Sequence, residues 1–177
     1  DLLPIIEKDK NVRIHPGSVS NQYTFRMNWL TPPFNDVKLR LAAQMALAQQ
    51  DFLDAAVGDP RFFKRCKALF TCGTPLASDA GMDGLIDGNA EKARAMLKEA
   101  GYDGSPVVLL HVSDLNALKN LAPVAKAQLE RAGFKVDMQT MDWQTFVTRV
   151  TKKGPPSEGG WHAFLTSWVS ADILNPV

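Results

Sequence analysis

Apolar side chains recur along this chain with two periods, one typical of strands and one typical of helices. Residues 23–28 alternate between apolar and polar side chains, which predicts a half-buried strand. Val107–Val112 is apolar except at His111, as in a strand buried on both faces. Residues 135–141 alternate again, and the short apolar run 163–165 predicts a fourth strand.

Segments with helical spacing lie between these strands. Asp36 is a candidate N-cap for a helix whose apolar stripe is narrow and rich in alanine. Asn89 caps the next predicted helix, which ends at Gly101. Residues 118–132 carry a further helical stripe, and this helix is either kinked or starts late because Pro123 lies inside it.

The order of the predicted elements indicates the fold class. A helix over residues 143–150 completes an alternation of helices and strands, which is typical of an open α/β sheet. We therefore expect residues 1–177 to form a single α/β unit with an open mixed sheet flanked by helices. Residues 61–70 are expected to form a short helix, and residues 76–88 a loop rich in glycine and aspartate.

Composition excludes several classes of function. The formal net charge is +1, so electrostatics gives no reason to expect nucleic acid or an anionic membrane surface as a partner. No apolar run approaches the roughly 20 residues that a membrane-spanning helix needs. The first four residues do not look like a signal peptide, which fits either a cytosolic protein or one whose leader has been removed.

The two cysteines, Cys66 and Cys72, have five residues between them. This spacing differs from a CxxC redox or zinc motif, and no second pair could complete a tetrahedral metal site. A local disulfide is predicted, which would place the protein outside the cytosol, and two buried thiols are the alternative. The segment with Asp79 and Asp83 superficially resembles a calcium loop, but it lacks the acid at the twelfth position, so we expect no bound metal.

Residues 161–177 contain the strongest candidate for binding chemistry. The predicted strand there becomes polar and presents Trp168 and then an isolated acid, Asp172. Side chains at the end of a strand commonly meet a ligand. The alternatives are that Asp172 caps the turn before Pro176, and that Trp168 and Trp143 pack in the core.

Catalysis would need a nucleophile with a base, or a pair of acids. Cys72 and His111 are present, but the sequence contains neither a nucleophile elbow nor an HExxH metal pair. His111 is expected to be either a hydrogen-bonded strand histidine or a contact for a ligand carboxylate. We therefore expect a protein that is not an enzyme.

Several ordered motifs resemble the peptide/nickel class, family 5, of extracellular solute-binding proteins that serve ABC importers. The family has a signature near N…PF-D-V-R-V-R-x-A, to which residues 28–42, NWLTPPFNDVKLRLA, are similar. Residues 93–102, ARAMLKEAGY, resemble the family motif A-x-x-L-L-x-E-A-G-Y. Residues 125–133, AKAQLERAG, resemble a third motif, A-x-x-x-Q-L-x-x-x-G.

Two tryptophan motifs extend the resemblance to the end of the chain. Trp143 and Phe146 are similar to the family's W-x-x-(F/Y). Trp168, Asp172 and Pro176 are similar to W-x-x-D-x-x-x-P, although the tryptophan and the acid are one residue further apart here. The resemblance implies a periplasmic-binding-protein-like fold in which this chain is the second, ligand-cleft lobe of a larger two-lobed protein.

The resemblance also implies roles for individual residues. Asp172 matches an acid that binds the ligand's α-ammonium group in peptide-binding relatives, and Trp143 would stack on a ligand group. Dipeptide-binding members carry an arginine just after the strand equivalent to Val107–His111. This chain has His111 and Ser113 there, which makes both candidate ligand contacts and argues against a free dipeptide held at both ends.

The function implied is the substrate-binding component of an ABC transporter. Such a protein binds a peptide or similar amine-bearing small solute between two lobes and delivers it to permease subunits in the membrane. A sensory or chaperone-like binding module of the same fold is the alternative, and an enzyme is a distant one. We expect a periplasmic monomer that needs no cofactor and binds ligand through Asp172, Trp143, Trp168, His111 and Ser113.

Overall fold

The structure, a computed structural model, describes residues 2–15 and 21–173, and a four-stranded sheet organises this part of the chain. The strands are β1 (Asn21–Met27), β2 (Val107–Val112), β3 (Val136–Met141) and β4 (Ala163–Val169). Their order is β1-β4-β2-β3; β2 is parallel to both of its neighbours, and β1 is antiparallel to β4. The sheet is therefore open and mixed, which confirms the predicted class.

Helices connect and flank these strands. They are α1 (Leu3–Ile6), α2 (Val37–Ala46), α3 (Gln49–Ala56), α4 (Ala90–Glu99), α5 (Leu121–Ala132) and α6 (Trp143–Val150). Short 3-10 turns occur at Pro60–Phe62, Pro156–Glu158 and Ser170–Ile173. Within the described ranges, no helix has the length and apolar character needed to cross a membrane.

Local chemistry accounts for where these helices begin. The side chains of Asp36, Asn89 and Asp142 each accept a hydrogen bond from a backbone N–H in the first turn of the helix that follows. Helix α5 begins at Leu121, so Pro123 lies in its first turn, where an N–H has no intrahelical partner to lose. Of the two predicted alternatives for this helix, the late start is therefore the one observed.

The two faces of the sheet carry different helices. The chain passes from β2 through α5 to β3, and then back through α6 to β4 on the other side of β2. When two successive right-handed connections move across the sheet in opposite directions, their helices lie on opposite faces. Helices α2, α3 and α4 pack with α5, whereas α6 covers the other face, where Phe146 meets Phe164 edge-on at 5.4 Å. The core thus has apolar layers on both sides of β2.

The helix predicted for residues 61–70 is wrong. After the 3-10 turn Pro60–Phe62 the backbone is extended at Phe63, and no helix follows before Ala90–Glu99 in this described stretch. The side chain of Gln49 instead accepts from the backbone N–H of Cys66 at 2.7 Å and donates to its carbonyl at 3.0 Å. A side chain from another helix therefore satisfies backbone groups that a local helix would have paired.

Candidate functional site

The carboxyl ends of the three parallel strands lie at one edge of the sheet. We call this the carboxyl edge and define it by Ser113–Asp114 after β2, Asp142–Trp143 after β3, and residues 168–172 at the end of β4. Strand β1 runs the other way and starts at the same edge, where Gln22 is paired opposite Trp168. The predicted site residues Ser113, Trp143, Trp168 and Asp172 all belong to this edge.

Strand β4 continues beyond its pairing with β2. Among the described residues, the two strands pair only at Leu109↔Ala163 and Leu110↔Phe164. Strand β4 runs on to Val169, and in the described part of the chain it is paired there with β1 alone. Since successive residues of a strand direct their backbone groups to alternate sides, its carboxyl half presents N–H and C=O groups toward the side of β2.

Trp143 is fixed at the start of α6. Its backbone N–H donates to Oδ1 of Asp114 at 2.9 Å, which joins the ends of β2 and β3. Its ring stacks on Phe146, with centroids 5.4 Å apart and an interplanar angle of 21°. The residue is nevertheless 38% exposed. One face of the indole therefore packs in the protein and the remaining surface is open to a ligand.

Trp168 and Asp172 lie at the end of β4. Trp168 is 40% exposed and shares the α6 face of the sheet with Phe164, four residues earlier on the strand. Asp172 is exposed within the 3-10 turn Ser170–Ile173, and its carboxylate has no hydrogen bond or ion pair to the described residues. Pro176, whose turn the acid was alternatively expected to cap, lies outside the described residues.

His111 and Ser113 differ in their availability to a ligand. Both ring nitrogens of His111 are hydrogen-bonded within the chain: Nε2 lies 2.8 Å from the carbonyl oxygen of Lys119 and Nδ1 lies 3.0 Å from Oγ1 of Thr140. A neutral ring that donates from Nε2 and accepts at Nδ1 satisfies both contacts. Ser113 is exposed, and its hydroxyl donates to the carbonyl of Met141 at 3.3 Å. Of the two, Ser113 is the more accessible candidate.

Three carboxylates follow the three parallel strands: Asp114 after β2, Asp142 after β3 and Asp172 after β4. The backbone N–H of Thr145 and then its hydroxyl, both donating to Asp142, hold the pKa of that carboxyl below its ordinary value. An edge that carries three carboxyl groups suits a ligand ammonium group. Sequence reasoning did not single out Asp114 or Asp142, although Asp142 directly precedes a predicted helix, as N-caps do.

A disulfide-closed loop borders the same edge. Cys66 and Cys72 form a disulfide with Cα atoms 5.6 Å apart. The side chain of Gln22 donates to the carbonyl of Leu69 at 2.5 Å and accepts from the hydroxyl of Thr71 at 2.9 Å. Because Gln22 is paired with Trp168 on β4, these bonds hold the loop beside the end of that strand.

Concave surfaces in the described part of the chain also lie away from the carboxyl edge. One of about 390 Å³ lies at the opposite edge of the sheet, near Asp36, Tyr102 and His162. His162 is buried there, its Nδ1 accepts from the backbone N–H of Val108 at 2.8 Å, and burial lowers its pKa. A second of about 480 Å³ lies over the exposed side of α6. No cluster of described residues is arranged to hold a metal ion.

Comparison with known proteins identifies the family. The model of the bacterial extracellular solute-binding proteins, family 5 Middle, matches residues 1–176. The chain is 34% identical over 177 residues to the probable peptide ABC transporter periplasmic-binding protein y4tO of Sinorhizobium fredii, covering 99% of this chain and 33% of that protein.

Solved structures show the same fold. The Staphylococcus aureus NikA complex with Ni(L-His)2 matches with a TM-score of 0.71 and 17% identity, over 94% of this chain and 34% of that one. Helicobacter pylori DppA in complex with the peptide STSA matches with a TM-score of 0.68 and 18% identity, over 99% and 32%. The chain spans about a third of the length of these relatives. It belongs to family 5 of the bacterial extracellular solute-binding proteins.

Proposed function

We propose that this chain is the ligand-cleft lobe of a two-lobed, extracytoplasmic solute-binding protein that serves an ABC transporter. A relative 34% identical to it is named as a probable peptide transporter component, and the chain spans 33% of that protein. The disulfide Cys66–Cys72 fits an oxidising compartment. Ligand would bind at the carboxyl edge, which in the whole protein would face a second lobe.

The ligand class is a peptide or a similar small solute with a free amino group. The observation that carries this proposal is the carboxyl half of β4, which among residues 2–15 and 21–173 is paired on one side only and leads to exposed Trp168 and Asp172. An extended peptide could add to the free side of the strand through backbone hydrogen bonds. Its α-ammonium would then meet Asp172, and Trp143, Trp168 and Ser113 would contact the rest; His111 remains a weaker candidate because its ring nitrogens are occupied.

Transport would follow from closure of the two lobes around the ligand. Binding would shift an open–closed equilibrium, and the closed monomer would dock on permease subunits in the membrane. No step requires a cofactor or bond chemistry. Uptake of a labelled tripeptide by cells that carry or lack the gene tests delivery separately from binding.

The test of the ligand contact is calorimetry on the two-lobed protein with trialanine and N-acetyl-trialanine. Asp172 should make wild type prefer the free amine by at least about tenfold, since a charge-assisted hydrogen bond contributes about 1.5–3 kcal/mol. Asp172→Asn should remove most of that preference. Asp137→Asn, an exposed acid on β3 away from the carboxyl edge, is the matched control and should keep it. An unchanged preference in Asp172→Asn would refute the ammonium contact.

A further inference from the structure

The disulfide-closed loop Cys66–Cys72 is held against the sheet at the level of Trp168. The two polar atoms of the Gln22 side chain each bind a different loop residue, the carbonyl of Leu69 and the hydroxyl of Thr71. Directly paired residues on antiparallel strands have Cα atoms about 5 Å apart. Because Gln22 is paired with Trp168, the middle of the loop is a close neighbour of the end of β4.

A second amide anchors the start of the same loop. Gln49 on α3 binds both the N–H and the carbonyl of Cys66, and its own backbone N–H donates to Ile86 at 2.8 Å. Lys67 forms an ion pair with Asp83 at 2.5 Å. The loop therefore has fixed contacts on two sides in addition to its covalent closure. A loop ordered in advance loses little conformational entropy when a ligand binds to it.

This anchored loop exposes an apolar side chain. Leu69 is 72% exposed, the largest exposed fraction among the large hydrophobic residues that the structure describes. A single exposed leucine is common on protein surfaces, but adjoining exposed apolar groups mark a binding surface. Trp168 and Val169, at the neighbouring end of β4, are 40% and 41% exposed. Successive strand residues face opposite sides of the sheet, so Val169 does not share the face of Trp168. Leu69, whose carbonyl is held by Gln22, and Trp168, which is paired opposite Gln22, are thus the exposed apolar residues on the β1 side of the carboxyl edge.

We propose that this loop is a wall of the ligand site and that Leu69 contacts an apolar side chain of the bound peptide. The inference deepens the proposed function and rests on it. The loop would select side chains, whereas Asp172 would select the amino terminus. The negative charges of Asp114 and Asp142 on the far side of the edge would further disfavour acidic ligand side chains. The ligand class is therefore a peptide with at least one apolar residue.

The test compares trileucine with trialanine by calorimetry on the two-lobed protein. Wild type should bind trileucine more tightly. Leu69→Ala should weaken trileucine binding about tenfold, because contact area with the leucine side chain is lost, and should leave trialanine within about twofold. Leu41→Ala is the matched control: Leu41 is 42% exposed on α2, and its loss should change neither affinity by more than about twofold.

Two further variants separate contact from loop position. Gln22→Ala and the double change Cys66→Ser with Cys72→Ser keep Leu69 but release the loop, and both should lower trileucine affinity more than trialanine affinity. If wild type binds both peptides and Leu69→Ala binds each of them as tightly as wild type does, the contact with Leu69 is refuted while the proposed function stands. If wild type binds neither peptide, nor any of a mixed tripeptide panel, both proposals fail.

Discussion

Polar side chains occur at both edges of the sheet. Asn28 and His162 are buried and hydrogen-bonded at one edge, whereas Asp172 is exposed at the other. At the edge opposite the carboxyl edge, the amide of Asn28 donates to the carbonyl of Trp161 at 3.0 Å and accepts from the N–H of Leu30 at 3.1 Å. His162 exchanges hydrogen bonds with the backbone of Val108. At the carboxyl edge, Asp172 is exposed and has no such partner among the described residues.

This difference separates residues that hold the fold from residues that are free to bind. Asn28 and His162 are 5% and 8% exposed, so each hydrogen bond replaces one that water can no longer make. Asp172, Trp143 and Trp168 keep much of their surface in solvent. Changes at the first edge should therefore alter stability, and changes at the carboxyl edge should alter binding.

The largest expected effect is that of His162→Ala. Loss of the Nδ1 acceptor leaves the buried N–H of Val108 without a partner and creates a small void. The free energy of unfolding should fall by about 2–3 kcal/mol in urea denaturation. His162→Asn, whose Oδ1 can occupy the position of Nδ1, is the control and should lose less. A loss below about 1 kcal/mol in the alanine variant would show that the hydrogen bond from Val108 to His162 does not stabilise this edge.

The disulfide, which closes the loop that borders the carboxyl edge, should contribute the next largest effect on stability. Replacing Cys66 and Cys72 by serine should lower the free energy of unfolding by about 2 kcal/mol, because the crosslink closes a short loop in the unfolded chain. A thiol assay on denatured, unreduced protein should find no free sulfhydryl. Two reactive thiols would show that the pair is not crosslinked in the purified protein.

The edge that contains His162 should also make stability depend on pH, with a smaller effect than the two substitutions above. Burial lowers the pKa of His162 below its ordinary value of 6.5. As pH falls through 6.5, His162 binds a proton in the unfolded state but not in the folded state. The free energy of unfolding therefore declines until the pH reaches the pKa of His162 in the folded state. Urea midpoints between pH 8 and 5 should therefore fall more in wild type than in His162→Asn. Equal slopes would exclude a contribution from this residue.

Sequence patterns predicted the elements whose causes are local. The strand Val107–Val112 follows from a run of apolar residues. The helix Ala90–Glu99 follows from its apolar spacing and from its cap Asn89, whose side chain accepts from the N–H three residues later. The helix expected over residues 61–70 failed because Gln49, 17 residues from Cys66, competes for that backbone. Such a contact depends on tertiary packing, which periodicity does not report.

The candidate site was predictable in its residues more than in its geometry. Trp168 and Asp172 were predicted because they follow from the end of a predicted strand, and Trp143 because of the family resemblance; their role in binding stays a prediction. The partial pairing of β4 with β2 depends on the register between segments about fifty residues apart. The bond from Trp143 to Asp114 likewise joins residues 29 positions apart. Register and crossing contacts of this kind arise only when the whole sheet assembles.

Asp172→Asn should give the smallest change in stability and the clearest change in binding. The substitution is nearly isosteric, and the carboxylate has no partner among the described residues, so the free energy of unfolding should stay within about 0.5 kcal/mol of wild type. A stabilising residue would show the reverse, as expected for His162. If Asp172→Asn destabilised the protein by more than about 1 kcal/mol, its loss of ligand preference would no longer identify a contact, and the contrast between the two edges would fail.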